Sequence, residues 1–374
     1  SRAAYMIESG IDPRSMLMFS FTKKAAGEMK ERIMRRIPDA GTITVGTYHS
    51  FCSRLLRKYA SFIGFKDNFT IYDTDDSKKL IKAITNDPFY KPELVLAQIS
   101  KWKSKMISPV QAEQEADDAW QRKIASFYKD YQKQLKEQNA MDFDDLISWS
   151  ITLLEEHEEV KEAVNNQYRY IFADEFQDSS AKDIRLVKLL AGDSMNLCMI
   201  YDDSQSIFGF RGADITAILN LHNTFKGVTT YLLQANYRST KKIVSASMNL
   251  IENNKAKIEK TIFTDNEEGE DIVYVEAQTQ KEESLRIMRL IKGLVKEGFD
   301  YKDIAILYRV TSLSRSIEET LIANTIPYTI VGGLPFYARK EIKDIMAYVR
   351  LLYNNRDRQA LERAINTPKR NIGP

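Results

Sequence analysis

At 374 residues, with 43% hydrophobic and 28% charged side chains, the chain is too long for one ordinary core and too apolar to be disordered, so two or more globular domains are expected. A net charge of +2 excludes nucleic-acid binding through bulk charge and leaves local patches as the way to build such a site. Cys52 and Cys198 lack metal-ligand spacing, which fits a reduced, cytoplasmic setting; no apolar run approaches membrane-spanning length and no signal peptide is visible.

The chain opens on the pattern of an amphipathic helix without an initiator Met, and none of its 15 glycines is followed by Lys. The Gly-rich turn with Lys and Ser or Thr that cradles phosphate is therefore not in these residues. Residues 16–21 are a buried-strand candidate, and 22–36 place Ala26, Met29 and Ile33 on one face of a helix. Residues 42–45 read as another short strand, before a helix with Phe51, Leu55 and Tyr59 on one side. From about residue 62 to residue 167 long amphipathic helices take over, with Tyr128, Tyr131 and Leu135 on an inner face and Lys129, Asp130, Lys133 and Lys136 solvated. This stretch interrupts an α/β alternation and reads as a helical insertion. Asp142, Asp144 and Asp145 near its end are expected to serve as a helix cap and first-turn charges, not as metal ligands.

Tyr170, Ile171, Phe172 and Ala173 then make an uncharged strand, followed at once by Asp174 and Glu175 and next by Gln177 and Asp178. Ligands of open α/β sheets collect at the carboxyl ends of such strands. Adjacent carboxylates there suit a metal ion and a water: one acid holds Mg²⁺ while its neighbour orients or deprotonates the attacking water. A bare Asp-Glu pair is more often a solvated turn, so this reading needs support from elsewhere in the chain. Further on, Ile184, Val187 and Leu190 mark a helix, and residues 196–201, 228–233, 272–276 and 303–308 read as strands. Helices are expected over 282–296, with Ile287, Leu290 and Ile291 inside, and over 313–324.

The support comes from a series of strings. YRYIFADEFQDSS around the acids, SFTKKAAGEMKERI, GTYHSFCSRLLRKY, NAMDFDDLI, YDDSQSIFGFRGAD and QANYRSTKKI resemble, in order and spacing, the motifs of the UvrD/Rep/PcrA group of superfamily 1 DNA helicases. DIAILYR, YTIVGG, FYARKEIKD and NTPKRNIG continue the likeness, with Gly332 and Gly333 read as a turn. The resemblance implies an α/β fold: a RecA-like parallel-sheet motor domain with a helical insertion, plus the first part of a second RecA-like domain. The expected divisions are 1–61 and 168–236 for the first RecA-like domain, 62–167 for the insertion and 237–374 for the second domain.

It also implies roles. Asp174 would hold Mg²⁺, Glu175 would handle the water, Gln205 would sit beside the terminal phosphate of ATP, Tyr237 would stack on adenine and Arg238 would reach the transferring phosphate. Phe21, Thr22, Lys24, Thr47, His49, Phe143, Phe208, Phe210 and Arg211 would face single-stranded DNA. The sequence departs from the family pattern at Ser20, Lys23, Tyr201 and Ser204, and Tyr201 in place of Gly is expected to crowd a strand end. The implied parent is an ATP-dependent 3′ to 5′ translocase and helicase of DNA repair or replication. Its partners would be single-stranded DNA, duplex junctions and repair or replication proteins, with no membrane. A non-catalytic scaffold that keeps the fold and the motor subunit of a helicase-nuclease are the alternatives. In the family the phosphate loop lies upstream and two further motifs lie downstream, so the chain reads as a fragment expected to hydrolyse ATP poorly.

Overall fold

The computed structural model describes residues 2–209, 212–213, 215–331 and 340–372. The chain divides into two compact units, the first comprising Ser1–Leu233, Ile251–Thr261 and Lys343–Pro374, the second Gln234–Leu250 and Ile262–Ile342. No helix among the described residues is long and apolar enough to cross a membrane.

The first unit is organised around a parallel sheet. Helix α1 (Arg2–Glu8) leads to β1 (Met16–Phe19), then α2 (Lys23–Arg36), β2 (Thr44–Gly46) and α3 (Tyr48–Tyr59). The chain returns to this sheet with β5 (Tyr170–Ala173), α10 (Ala181–Ala191) and β6 (Leu197–Met199), giving the strand order β2-β1-β5-β6, parallel throughout. Alternation sorts the central strands. Leu17, Phe19, Ile171 and Ala173 join a core with Phe51, Leu56 and Leu186, while Met16, Met18 and Phe172 meet Ala3 and Ile33 on the opposite face. A sheet covered on both faces wants uncharged strands, and all four residues of β1 are buried. The strand stops at Phe19, two residues earlier than the run of apolar character suggests, because Thr22 caps α2 and the chain must turn first.

Between β2 and β5 the insertion carries α4 (Thr74–Thr85), α5 (Pro92–Ser104), α6 (Pro109–Gln114), α7 (Ala119–Glu137), α8 (Phe143–Glu156) and α9 (Glu158–Gln167). Its separate core contains Tyr128, Tyr131 and Leu135 with Ile81, Ile99 and Trp102. The helical pattern concealed one feature: β3 (Thr70–Tyr72) and β4 (Ala140–Asp142) form a parallel pair. Three residues are too few to show an alternation. Short α11 (Ile215–Leu219) and α12 (Leu221–Thr224) follow β6.

The second unit contains α13 (Lys241–Ile251) for most of its length, α14 (Gln280–Lys296) and α15 (Ser314–Ala323). Met288, Ile291, Leu321 and Ile326 form its core, with Ile287 packed against them. Leu290, expected inside, is 58% exposed, since it stands one residue off the inward stripe. None of the stretches 228–233, 272–276 and 303–308 pairs into a ladder as the sequence suggests. An apolar run is a local signal and a ladder is a long-range pairing; among the described residues of this unit the pairing reduces to one parallel bridge, between Ala235 and Phe263. Gly332 and Gly333 lie outside the described residues.

In the first unit α16 (Lys340–Tyr353), from Lys343 onward, and α17 (Arg358–Ile365) close onto the insertion through polar contacts. The buried Asn354 amide donates to the carbonyls of Gln138 and Asn139 at 3.0 and 3.1 Å, and Arg350 bonds Asp76 and Asp357 at 2.7 and 2.9 Å.

Candidate functional site

The register brings four strand ends level: Phe19 pairs with Gly46 and with Ala173, and Ala173 pairs with Met199. The residues just beyond each strand therefore lie along one edge of the sheet. Phe21, Thr22 and Lys24 come after β1, Thr47 and His49 after β2, Asp174 and Glu175 after β5, and Asp202 to Phe208 after β6. Gly46 at the end of β2 is required by space: a Cβ there would lie 2.6 Å from Ser50 Oγ, which completes the capping box of α3.

At the β5–β6 end the side chains are joined to one another. Glu175 holds a left-handed backbone, φ 52°, a conformation that disfavours residues with a Cβ by about 1–2 kcal/mol. Its Oε2 accepts a hydrogen bond at 2.6 Å from Nε2 of the buried Gln177, whose Oε1 accepts from the Asp202 backbone N–H at 3.1 Å. Asp202 Oδ2 in turn accepts from Gln205 Nε2 at 2.8 Å. Four side chains thus form a path from the β5 turn to the β6 turn. An antiparallel bridge between Ser180 and Ala213 ties the later part of the β6 segment back to the β5 side.

Lys260 completes this end from outside the motifs. Its Nζ donates to Asp202 Oδ1 and Asp203 Oδ1, both at 2.6 Å. Burial alone would depress the Lys260 ammonium, but these carboxylates lift it above the ordinary lysine range. Burial likewise works against the Asp202 carboxylate, and the bonds from Lys260 and Gln205 still hold its pKa below the usual value. On the other side of Glu175 the balance reverses. Burial and then the Glu175 charge raise Asp174, and the same two causes push Asp178 up to about 6. Asp178 Oδ1 is buried and has no hydrogen-bond partner among the described residues.

Mutually repelling carboxylates with an orphaned oxygen fit a cation. No group of three or more His, Cys, Asp or Glu among the described residues could cage a metal alone. Mg²⁺ takes one or two protein carboxylates and leaves its other positions to water and phosphate, so it would not need such a group. Tyr201, expected to crowd the strand end, packs half-buried against the core. The backbone beside it still bonds β5 through Ile200 N–H to Ala173 O at 2.8 Å. Ser204 occupies its departed position by donating its N–H to Asp202 Oδ1 at 3.1 Å.

The β1–β2 end is aromatic. The rings of Phe21 and Phe208 meet at 4.9 Å between centroids, tilted by 42°. His49 and Phe143 meet edge-on at 6.0 Å, and Phe143 is half exposed. Thr22 and Thr47 are helix caps, accepting from Ala25 N–H at 3.1 Å and Ser50 N–H at 3.2 Å. Lys24 is exposed and lies 3.9 Å from Glu28 of its own helix. His49 touches solvent at its surface, yet desolvation by the surrounding protein lowers its pKa against the pull of Asp183.

Phe143 is set by charges that the sequence did not reveal. Asp142 caps α8, as its position suggests, and Lys103, nearly inaccessible, bonds both Asp142 at 2.6 Å and Asp145 at 2.7 Å. Lys182 holds Asp144, which also accepts from Ser100 at 2.6 Å. Phe210 and Arg211 lie outside the described residues. Tyr237 and Arg238 belong to the second unit: the Tyr237 ring is 86% exposed, and Asn236 Oδ1 shapes the turn by accepting from the N–H groups of Arg238 and Ser239 at 2.9 and 2.8 Å.

Comparison with known proteins shows the family. Residues 1–226 match the model of the UvrD/REP helicase N-terminal domain, and residues 231–374 that of the UvrD-like helicase C-terminal domain. The ATP-dependent DNA helicase PcrA of Staphylococcus aureus is 42% identical over 380 residues, a span covering 100% of this chain and 52% of the relative. The protein of the same name from Staphylococcus epidermidis is 41% identical over the same shares. The chain thus spans about half the length of the curated relatives it matches. With both domain matches following one another along nearly all of its residues, and with an α/β fold built on a parallel sheet of the RecA-like kind, the chain belongs to the UvrD/REP helicase family.

Proposed function

We propose that the full-length protein is an ATP-dependent 3′ to 5′ single-stranded DNA translocase and helicase, acting at duplex junctions in the cytoplasm during repair or replication. The observation that supports this best is the hydrogen-bonded path Glu175–Gln177–Asp202–Gln205 beside two aromatic pairs on the same sheet edge. The relatives named as ATP-dependent DNA helicases support it independently.

In this reading Asp174 would hold Mg²⁺. When bound, the ion neutralises charge on the phosphate oxygens and orients them. Glu175, its carboxylate held by Gln177, positions the attacking water and takes its proton. Gln205 exchanges its bond to Asp202 for one to the terminal phosphate. Tyr237 offers its exposed ring to adenine, and Arg238 offers a planar fork that stays charged and bonds oxygen pairs. Phe21, Phe208, His49 and Phe143 meet bases by ring contact, while Thr22, Lys24 and Thr47 meet the phosphates; the family likeness assigns Phe210 and Arg211 to the same strand. By the family likeness 1–61 and 168–236 would make the first motor domain around the insertion at 62–167 and 237–374 part of the second, with 251–261 and 343–374 packing with the first unit.

The test is strand displacement by the full-length protein on duplexes with a 3′ or a 5′ single-stranded tail. ATP- and Mg²⁺-dependent unwinding of the 3′-tailed duplex is expected. Unwinding confined to the 5′ tail, or none without loss of DNA-stimulated ATP hydrolysis, would overturn the assignment of direction or of helicase activity respectively. The 374-residue chain by itself contains no Gly-rich turn followed by Lys. Its own phosphate release with single-stranded DNA is therefore expected to be far below that of the full-length protein.

A further inference from the structure

Lys260 lies 55 residues downstream of Gln205 and in none of the strings that carry the family likeness. Residues 251–261 nevertheless pack with the first unit, although the stretches on both sides, 234–250 and 262–342, belong to the second. The chain thus leaves the second unit after Tyr237 and Arg238, makes one set of contacts on the first, and returns. Two residues of this stretch bond the turn that follows β6. Lys260 Nζ bonds Asp202 Oδ1 and Asp203 Oδ1 at 2.6 Å each, and the N–H of Ile258 donates to Asp203 Oδ2 at 2.8 Å. The Asp203 side chain is 3% exposed and that of Lys260 16%, so solvent screens the bond to Asp203 little, whereas Asp202, at 39%, is partly open to it.

The second oxygen of Asp202 holds Gln205, while the Asp202 backbone N–H is held by Gln177. An uncompensated Asp202 would bind Gln205 tightly and repel an incoming phosphate. With the ammonium on Oδ1, the carboxylate is neutralised on one side, so it keeps Gln205 in a defined rotamer and releases it at less cost.

We propose that Lys260 is a positioning residue for the phosphate-contacting turn, fixing Asp202 and Asp203 so that Gln205 alternates between Asp202 and a nucleotide phosphate. It acts from a strap whose two flanks are covalently continuous with the unit bearing Tyr237 and Arg238. This inference rests on the reading of Gln205 given above.

The experiment measures ATP turnover and single-stranded DNA affinity, with and without a non-hydrolysable ATP analogue, for Lys260→Met, Lys260→Gln, Lys260→Arg and Gln205→Ala in the full-length protein. Loss of the ammonium is expected to raise KM for ATP about tenfold, of the order of one lost charge-assisted bond. It is also expected to pull the analogue-induced change in DNA affinity towards unity, with DNA affinity in the absence of nucleotide within about twofold of wild type. Lys260→Arg should restore both. If Lys260→Met fails to fold, Lys260→Gln against Lys260→Arg decides by the same two readouts. Wild-type KM and coupling in the folded neutral variants, with Gln205→Ala inactive, would overturn the proposal for Lys260 alone. Undiminished turnover in Gln205→Ala would overturn the underlying reading of Gln205 instead.

Discussion

At the β5–β6 end of the sheet edge, Glu175, Gln177, Asp202, Gln205 and Lys260 are fastened to one another by bonds of 2.6 to 3.1 Å. At the β1–β2 end, Phe21 with Phe208 and His49 with Phe143 meet through ring contacts at 4.9 and 6.0 Å. Both ends grow from the same parallel strands, so the sheet does not make the difference; the side chains do. Hydrogen bonds to charged groups are directional and fix an atom to within tenths of an ångström, as a reacting centre requires. Ring contacts are broad and indifferent to which base they meet, as a sliding grip requires. Substitutions at the first end should therefore fail steeply in rate, and those at the second should fail gradually in affinity.

The steepest case is Glu175→Gln. It keeps an oxygen for Gln177 and preserves the turn but removes the carboxylate proposed as the base, so turnover in the full-length protein should fall about 10²- to 10⁴-fold with nucleotide and DNA binding retained. Steady-state ATP hydrolysis with a nucleotide-binding titration checks it. Undiminished hydrolysis would erase the distinction between the two ends. Next in size is Lys103→Met, which strands Asp142 and Asp145 beneath Phe143 and should cost about 3–5 kcal/mol, as the removal of one partner from a buried ion cluster does. Asp145, already pushed up to about 6 by burial and by Asp142, should then take up a proton. A shifted urea midpoint with weakened DNA binding is expected; an unchanged midpoint would show that the aromatic end does not depend on this ion cluster.

Phe143→Ala and Phe208→Ala should each weaken single-stranded DNA binding by about 1–3 kcal/mol, equally for purine and pyrimidine oligonucleotides, while ATP turnover at saturating DNA changes little. Fluorescence anisotropy on homopolymers measures this. A loss confined to one base type would mean that this end reads sequence.

The same contrast explains what the sequence made legible. The four core strands are short uncharged runs ended by Ser20, Gly46, Asp174 and Ile200, and such runs can be read residue by residue. The motif residues of the first unit come directly after those runs, so their shared edge was implied once the strands were parallel. Lys260, Lys103 and Lys182 escaped notice because each meets its carboxylate from at least 38 residues away, with no periodicity to mark it. Gln177 stood in plain view within the acidic string, but a buried amide bridging two turns is a tertiary fact. The β3–β4 pair and the unpaired runs of the second unit fail in opposite senses for one reason: strand character is local, whereas pairing depends on partners that a run does not name.

The smallest effect probes whether the carboxylates of the β5 turn feel one another at all. Asp178 ionises near 6 in the folded chain, raised by burial and by the Glu175 charge, so folding disfavours its ionised form. The wild-type protein should therefore lose stability as pH rises from the ordinary aspartate range through 6, relative to Asp178→Asn, which carries no charge there to repel Glu175. Above pH 7 the variant should be the more stable, by less than about 1 kcal/mol because the site is partly open to solvent. At pH 4 the two should differ least. Millimolar Mg²⁺ should narrow the gap at pH 8 by compensating the same charges. Urea midpoints of both proteins across pH 4 to 8, with and without the ion, supply the measurement. Parallel profiles would mean that the three acids titrate independently, and that the β5 turn lacks the concentrated negative charge that makes it suited to a cation.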